Sequence, residues 1–388
     1  MNRKLGDVCQ FYAGTGFPVA YQGKLEGELP FYKVGDIANN VLAGNSYLKI
    51  CNNFISYDDA KEIKGTILPE GTIVFAKIGE ALKLNRRAIT SEDCLIDNNA
   101  MGIAPKKNFL SEKYFYYFMK QLKMQDLAES TTVPSVRKSK LEQVEITVPS
   151  IERQIEIEHI LDNVSKLILM RKQELKALDE LIKARFVELF GDPVSNPHGY
   201  DKVALSELAD IKIGPFGSLL HKEDYVEGGH ALLNPSHIVE GKVAPDNKLA
   251  ISDEKYEELS AYHLRMGDVV MGRRGEMGRC AVVPCEGYLC GTGSLLIRTK
   301  GEVTADYIQK IISFPSFRKT IEDMAVGQTM PNLNVPIVAN FQIVKPPMEV
   351  QDRYYTFVEQ VDKSKVAVQK ALDEEQLLFD SLMQQYFG

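Results

Sequence analysis

Cysteine is scarce in this chain. Its 388 residues include six, Cys9, Cys51, Cys94, Cys280, Cys285 and Cys290, and their scatter excludes a disulfide framework. Cys280, Cys285 and Cys290 follow a Cys-x4-Cys-x4-Cys spacing, looser than a zinc site with its close Cys pair and two further ligands. No apolar run approaches the roughly 20 residues that a membrane helix needs. The opening stretch "MNRKLGDVCQFYAG" has no apolar signal region, so a reduced, cytoplasmic protein without membrane contact is expected. Catalytic signatures are missing too. The six histidines show no HExxH spacing, no nucleophile elbow is visible, and the glycine-rich "AGTGFP" and "GPFGS" lack the G-K-[ST] ending of a phosphate loop. They read as turns. With no metal, cofactor or catalytic constellation expected in the chain itself, a reader or scaffold is favoured over an enzyme.

What the chain does have is an ordinary globular composition, 44% apolar and 26% charged. The net charge of −7 argues at first against a nucleic-acid partner. Its distribution softens that argument. Residues 1–150 carry 19 Lys and Arg against 17 Asp and Glu, residues 201–347 carry 16 against 19, and residues 348–388 carry 4 against 8. Much of the acidic excess thus lies outside the first globular segment.

The chain also repeats itself. "FVELFG" at 186–191 returns as "MQQYFG" at 383–388. At the same offset of 197, Leu175 falls on Leu372, Lys166 on Lys363, Gln154 on Gln351, Pro149 on Pro346, Pro134 on Pro331 and Thr132 on Thr329. A period of half the chain means a tandem duplication of domain-sized units.

Each copy divides in two. The first part is turn-rich, with short β-like runs such as "GTIVFAKIG" and "VEITVP" and a helical pattern at 111–129, whose partner is near 305–323. The second part is a long helix. Residues 152–190 contain neither Gly nor Pro, and Ile157, Leu161, Val164, Ile168, Leu175, Leu178, Ile182 and Leu189 mark a heptad seam interrupted by Arg171 and Arg185. The second seam is Tyr354, Val358, Val361, Val368, Leu372, Phe379, Leu382 and Tyr386, interrupted by Lys365 and Glu375. Pro149 and Pro346 precede the helices, and Gly191 and Gly388 end them. Two exposed seams pair most simply with each other, antiparallel. The predicted fold is α/β (α+β), with globular domains at 1–150 and 192–347 and long helices at 151–191 and 348–388.

The arrangement resembles the specificity subunit of a Type I restriction–modification enzyme across essentially the whole chain. The residues that carry the likeness are "TVPSVRKSKLEQVEITVPSIERQIEIEHIL" (132–161), "TMPNLNVPIVANFQIVKPPMEVQDRYYTFV" (329–358), "LGDVCQFYAGTGFP" (5–18) and "LSELADIKIGPFGS" (205–218). The resemblance implies two target-recognition domains, each reading half of a split site on double-stranded DNA, and a helix pair that spaces them. It also implies docking of two methyltransferase subunits, which would bring S-adenosylmethionine, and a motor–nuclease subunit, which would bring ATP and Mg. A two-module scaffold that binds no DNA is the competing expectation.

Candidate DNA contacts follow from a second internal alignment, at offset 196. "GTIVFAKIGEALKLNRR" (71–87) falls on "GDVVMGRRGEMGRCAVV" (267–283), pairing Gly79 with Gly275, Glu80 with Glu276, Lys77 with Arg273 and Lys83 with Arg279. Cations beside a glycine turn can reach phosphates or grip guanine at two points. Lys77, Lys83, Arg86, Arg87, Arg273, Arg274 and Arg279 are therefore the expected contacts, with Arg137 and Lys138, joined by Lys140, as a further basic cluster.

Overall fold

In each half of the chain a run of consecutive apolar residues forms the centre of a sheet covered on both faces. The structure, a computed structural model, describes residues 1–129, 133–246, 248–275, 278–325 and 332–388, without the side chains at 218 and 222. The chain divides into two units: Met1–Lys176 with Val366–Gly388, and Ala177–Lys365.

In the first unit an antiparallel four-stranded sheet has the order Cys9–Ala13, Ala100–Pro105, Ile73–Ala76, Arg87–Ile89. Side chains alternate across it. Ile73 and Phe75 enter the cluster with the helix Glu112–Gln121, whereas Val74 packs with Tyr32, Ile37 and Leu48 on the other face. Both faces are covered, which is why "IVFA" is apolar without a break. A smaller mixed sheet runs Phe54–Ile55, Leu29–Tyr32, Leu95–Ile96, and Asn2–Lys4 pairs with Glu145–Thr147.

The second unit repeats this plan. Its four-stranded sheet is Ala209–Ile213, Ser294–Thr299, Val269–Gly272, Cys280–Val282, with Val269 and Met271 on one side and Val270 on the other. Its helical segment departs from the single helix expected near 305–323. Pro315 starts a second helix, Pro315–Met324, after Ala305–Ser313, because the residue before a proline is pushed out of helical geometry. In both copies a tyrosine on the first helical stretch donates to the last strand: Tyr114 to the Thr147 carbonyl (2.9 Å) and Tyr307 to the Val344 carbonyl (2.8 Å).

The long helices run Ile151–Phe190 and Met348–Phe387. At 1.5 Å per residue each is about 60 Å long. They pair antiparallel within each unit. In the first, Arg153 lies over the Tyr386 ring and Arg171 meets Glu375 at 3.3 Å. In the second, Asp179 meets Lys365 at 2.6 Å, and Phe186 and Phe190 meet Tyr354. The charged interruptions of the seams thus find opposite charges. Ile157, Leu161, Val164 and Ile168 are buried as expected, but the other half of the first helix is anchored more by Phe186 and Phe190 than by Leu178 or Ile182.

Two repeated features gain a physical meaning. Gln154 and Gln351 are fully buried clamps at the helix starts. Gln154 accepts from Ser111 N (2.8 Å) and donates to the Phe109 (2.8 Å) and Pro149 (3.0 Å) carbonyls. Gln351 accepts from Thr304 N (3.1 Å) and donates to the Pro346 carbonyl (3.0 Å). The doubled "FG" ending is an aromatic anchor: Phe387 packs 5.0 Å from Tyr114, and Phe190 packs 5.0 Å from Tyr307. Thr132, Thr329, Pro331 and Glu276 lie outside the described residues.

Candidate nucleic-acid interface

The two basic hairpins occupy the same place in their units. Past Ala76, the end of an inner strand, the backbone stays paired on both sides: Lys77 N donates to the Asn99 carbonyl (2.9 Å), and its own carbonyl accepts from Val136 N (2.9 Å). Past Gly272, Arg273 N donates to the Gly293 carbonyl (3.0 Å), and its carbonyl accepts from Leu333 N (3.0 Å). Lys77 and Arg273 are equivalent down to these bonds. Gly79 (φ +75°) and Gly275 (φ +78°) follow two residues later, in a region that suits glycine. A β-carbon on either would meet nothing within 4 Å, so the backbone there is open to an approaching ligand.

The edge gathers more cations in the first unit. Ile78 bridges Ser135 and Gly79 N donates to the Pro134 carbonyl (2.8 Å), which brings Arg137 and Lys138 beside Lys77. Arg137 pairs with Glu129 (2.9 Å), Lys138 with Glu142 (3.6 Å) and Lys83 with Glu80 (2.7 Å). Such exposed pairs hold their side chains weakly and yield readily to a phosphate. Lys140 is exposed on the same short helix as Lys138. In the second unit Arg273 donates through Nε to Asn332 Oδ1 (3.0 Å), while Arg274 is exposed. Desolvation, then the neighbouring Arg274, pushes the Arg273 guanidinium pKa down.

Two expectations are corrected. The sheet register pairs Phe75 with Arg87, and Met271 with Cys280. The second hairpin is therefore three residues shorter, and the counterpart of Arg279 is Arg86, not Lys83. Moreover, Arg87 is no surface contact. It is 2% exposed and donates to the carbonyls of Asn85 and Leu122 and to Asn85 Oδ1, tying the hairpin to the end of the helix Glu112–Gln121. Burial pushes its pKa down to about 9. Beside the exposed Lys140, the nine other predicted cations consequently separate. Lys77, Lys83, Arg137, Lys138, Arg273 and Arg274 belong to the hairpin edges, and Arg86, Arg87 and Arg279 line clefts behind them.

The glycine-rich turns have another role. A β-carbon on Gly14 would come 1.8 Å from the Asp97 carbonyl oxygen, and one on Gly214 would come 2.0 Å from that of Gly291. Both are close backbone crossings inside the fold. Among the described residues no His, Cys, Asp and Glu gather as a metal site.

The profile of the Type I restriction modification DNA specificity domain matches twice, at residues 1–180 and 197–376. The chain belongs to the Type I restriction–modification specificity family. The duplicated sheet, hairpin and clamped helix are this family's domain, present in two copies. The MjaIX specificity subunit of Methanocaldococcus jannaschii is 23% identical over 98% of this chain and 91% of its own length. The MjaVIII specificity subunit of the same organism is 19% identical over 95% and 89%. A solved S subunit from M. genitalium has the same fold at a TM-score of 0.56, with 16% identity over 100% of this chain and 96% of the other. A chain from a structure addressing assembly and conformational transition of the type I R-M system reaches 0.66, again at 16% identity, covering 100% and 97%. The chain is a sequence-recognition subunit of a Type I restriction–modification complex. No helix among the described residues is long and apolar enough to cross a membrane.

Proposed function

We propose that each unit reads one half of a bipartite DNA target through its hairpin edge, and that the chain performs no chemistry of its own. The observation that carries this reading is the equivalence of Lys77 and Arg273: two copies of one fold hold a cation at one backbone position beside a glycine open to approach. One copy would suffice for a single undivided site. Two copies with different side chains suit two unlike half-sites. The paired helices then set the gap between the half-sites and dock two methyltransferase subunits. These supply S-adenosylmethionine and flip the target base. A motor–nuclease subunit supplies ATP- and Mg-dependent steps.

Methylation mapping with hybrid chains tests this. Replacing residues 1–150 by the matching segment of another specificity subunit is expected to change one half of the methylated sequence and leave the other intact. A change in both halves, or in neither, refutes the division of labour.

A further inference from the structure

The backbone frame around the hairpin cation is the same in the two units, but its side chains differ. Ile78 bridges Ser135 in the first unit, and Arg274 bridges Asn332 in the second. The residues that follow, Val136 and Leu333, are buried, and the next, Arg137 and Asn334, precede the short helices Lys138–Glu142 and Val335–Ala339. Asn332 is therefore the counterpart of Ser135, as Arg273 is of Lys77. From one copy to the other, lysine has become arginine and its neighbour serine has become asparagine. In the second unit the two changed side chains meet: Arg273 donates through Nε to Asn332 Oδ1 at 3.0 Å.

That bond restricts how the arginine can be used. Asn332 is itself fixed, by its bridge to Arg274, by the burial of Leu333 and by Asn334, whose side chain accepts from Ile337 N at 2.9 Å. An acceptor on Nε sets the plane of the guanidinium and occupies its side edge. What remains is the end, where the two terminal nitrogens lie side by side with no acceptor among the described residues. Arg273 is half-buried, and a β-carbon on Gly275, two residues on, would meet nothing within 4 Å. A held, planar pair of donors thus stands beside open space. It fits a planar pair of acceptors, and in the major groove guanine presents one, O6 with N7, whereas adenine sets a donor beside its acceptor.

A phosphate also accepts two donors. Backbone phosphates, however, are alike in the two half-sites, and they give no reason for the cation and its neighbour to change together. Bases do differ between half-sites. We propose that Arg273 reads a guanine of the second half-site end-on, and that Asn332 is the positioning residue that aims it. The inference rests on the DNA-recognition reading and adds to it a base and a residue.

The test uses the assembled complex carrying the full chain, as wild type and with Arg273→Lys, Asn332→Ala and Asn332→Asp. Each is titrated with the target duplex and with duplexes in which the base pairs of the second half-site are replaced one at a time. Arg273→Lys keeps the charge and loses the fork. It and Asn332→Ala are expected to lose about 5- to 150-fold of discrimination at one G·C pair and to keep it at the other positions. Asn332→Asp retains an acceptor for Nε and should retain that discrimination, even if the added charge weakens binding to every duplex. An equal loss on all duplexes in Arg273→Lys and Asn332→Ala would assign the arginine to a phosphate, and a failure of co-purification would assign it to a partner subunit; either overturns the proposal, as does a loss centred on an A·T pair. Should Asn332→Ala lower the unfolding temperature, Arg273→Lys and Asn332→Asp decide. A wild-type complex that prefers no duplex overturns the recognition reading and the inference with it. A discriminating wild type whose discrimination survives Arg273→Lys overturns the inference alone.

Discussion

Replacing Gln154 by alanine should be among the more damaging single changes to the first unit, although the residue touches neither hairpin nor cleft. Its amide is fully buried and makes three hydrogen bonds of 2.8–3.0 Å, all to backbone groups. Alanine leaves the Ser111 N–H and the Phe109 and Pro149 carbonyls without these partners. Each orphaned buried group costs about 1–3 kcal/mol, less where water enters the vacated space, so a total of about 3 kcal/mol is expected. Gln351→Ala should cost less, about 2 kcal/mol, because its third bond, to the Glu302 carbonyl, is stretched to 3.5 Å. Urea denaturation of the full chain, followed by hydrogen exchange of peptides from each unit, separates the two effects. Gln154→Ala should lower protection around residues 109–119, and Gln351→Ala around 302–312. Losses below about 0.5 kcal/mol in both variants would show that the clamps are incidental, since that is the ordinary range of a surface substitution.

Other outcomes follow from the same structure. Lys77→Ala and Arg273→Ala should each weaken target binding by the complex by ~1–3 kcal/mol if they contact bases, with assembly intact; unchanged affinity and salt slope in both would remove the hairpin edges from the interface. Gly14→Ala and Gly214→Ala should each destabilise their unit, visible as a lowered unfolding midpoint, since the added carbon meets a carbonyl oxygen at 1.8 or 2.0 Å; a wild-type midpoint would contradict the close crossing. Inserting seven helical residues after both Ala177 and Glu374 adds about 10 Å to each helix and should lengthen the preferred gap between half-sites by roughly three base pairs, read by methylation mapping. A fragment of residues 1–191 lacks Phe379 and Phe387, which cover Tyr117 and Tyr114. It should self-associate in light scattering and direct methylation to a palindrome, whereas a stable monomer would show that the repeat no longer works as a symmetry.

The long-range plan was legible because duplication leaves a signal that no local fluctuation imitates. The offset of 197 placed Gln154 on Gln351 and Phe190 on Phe387 before either had a role. The seams were legible because a helix pair needs one apolar stripe. Phe186 lies off the heptad seam, yet the fold buries it against Tyr307 and Tyr354. Arg87 departs from its expected surface position for a related reason. Charge suggests the surface, but a guanidinium can be buried where carbonyls accept its protons, and that geometry has no sequence signature. The hairpin register failed by three residues because an ungapped alignment cannot see a shortened turn.

The first unit is made of Met1–Lys176 and Val366–Gly388, so it is threaded through both ends of the sequence. The ribosome therefore finishes the second unit, Ala177–Lys365, before it makes the strip that completes the first. Until then Tyr114, Tyr117 and Phe118 wait without Phe379 and Phe387 beside them. Domains usually mature from the N-terminus onward during synthesis. Here the order is inverted, and a premature stop near codon 366 would cripple the reader that was translated first while sparing the one translated last.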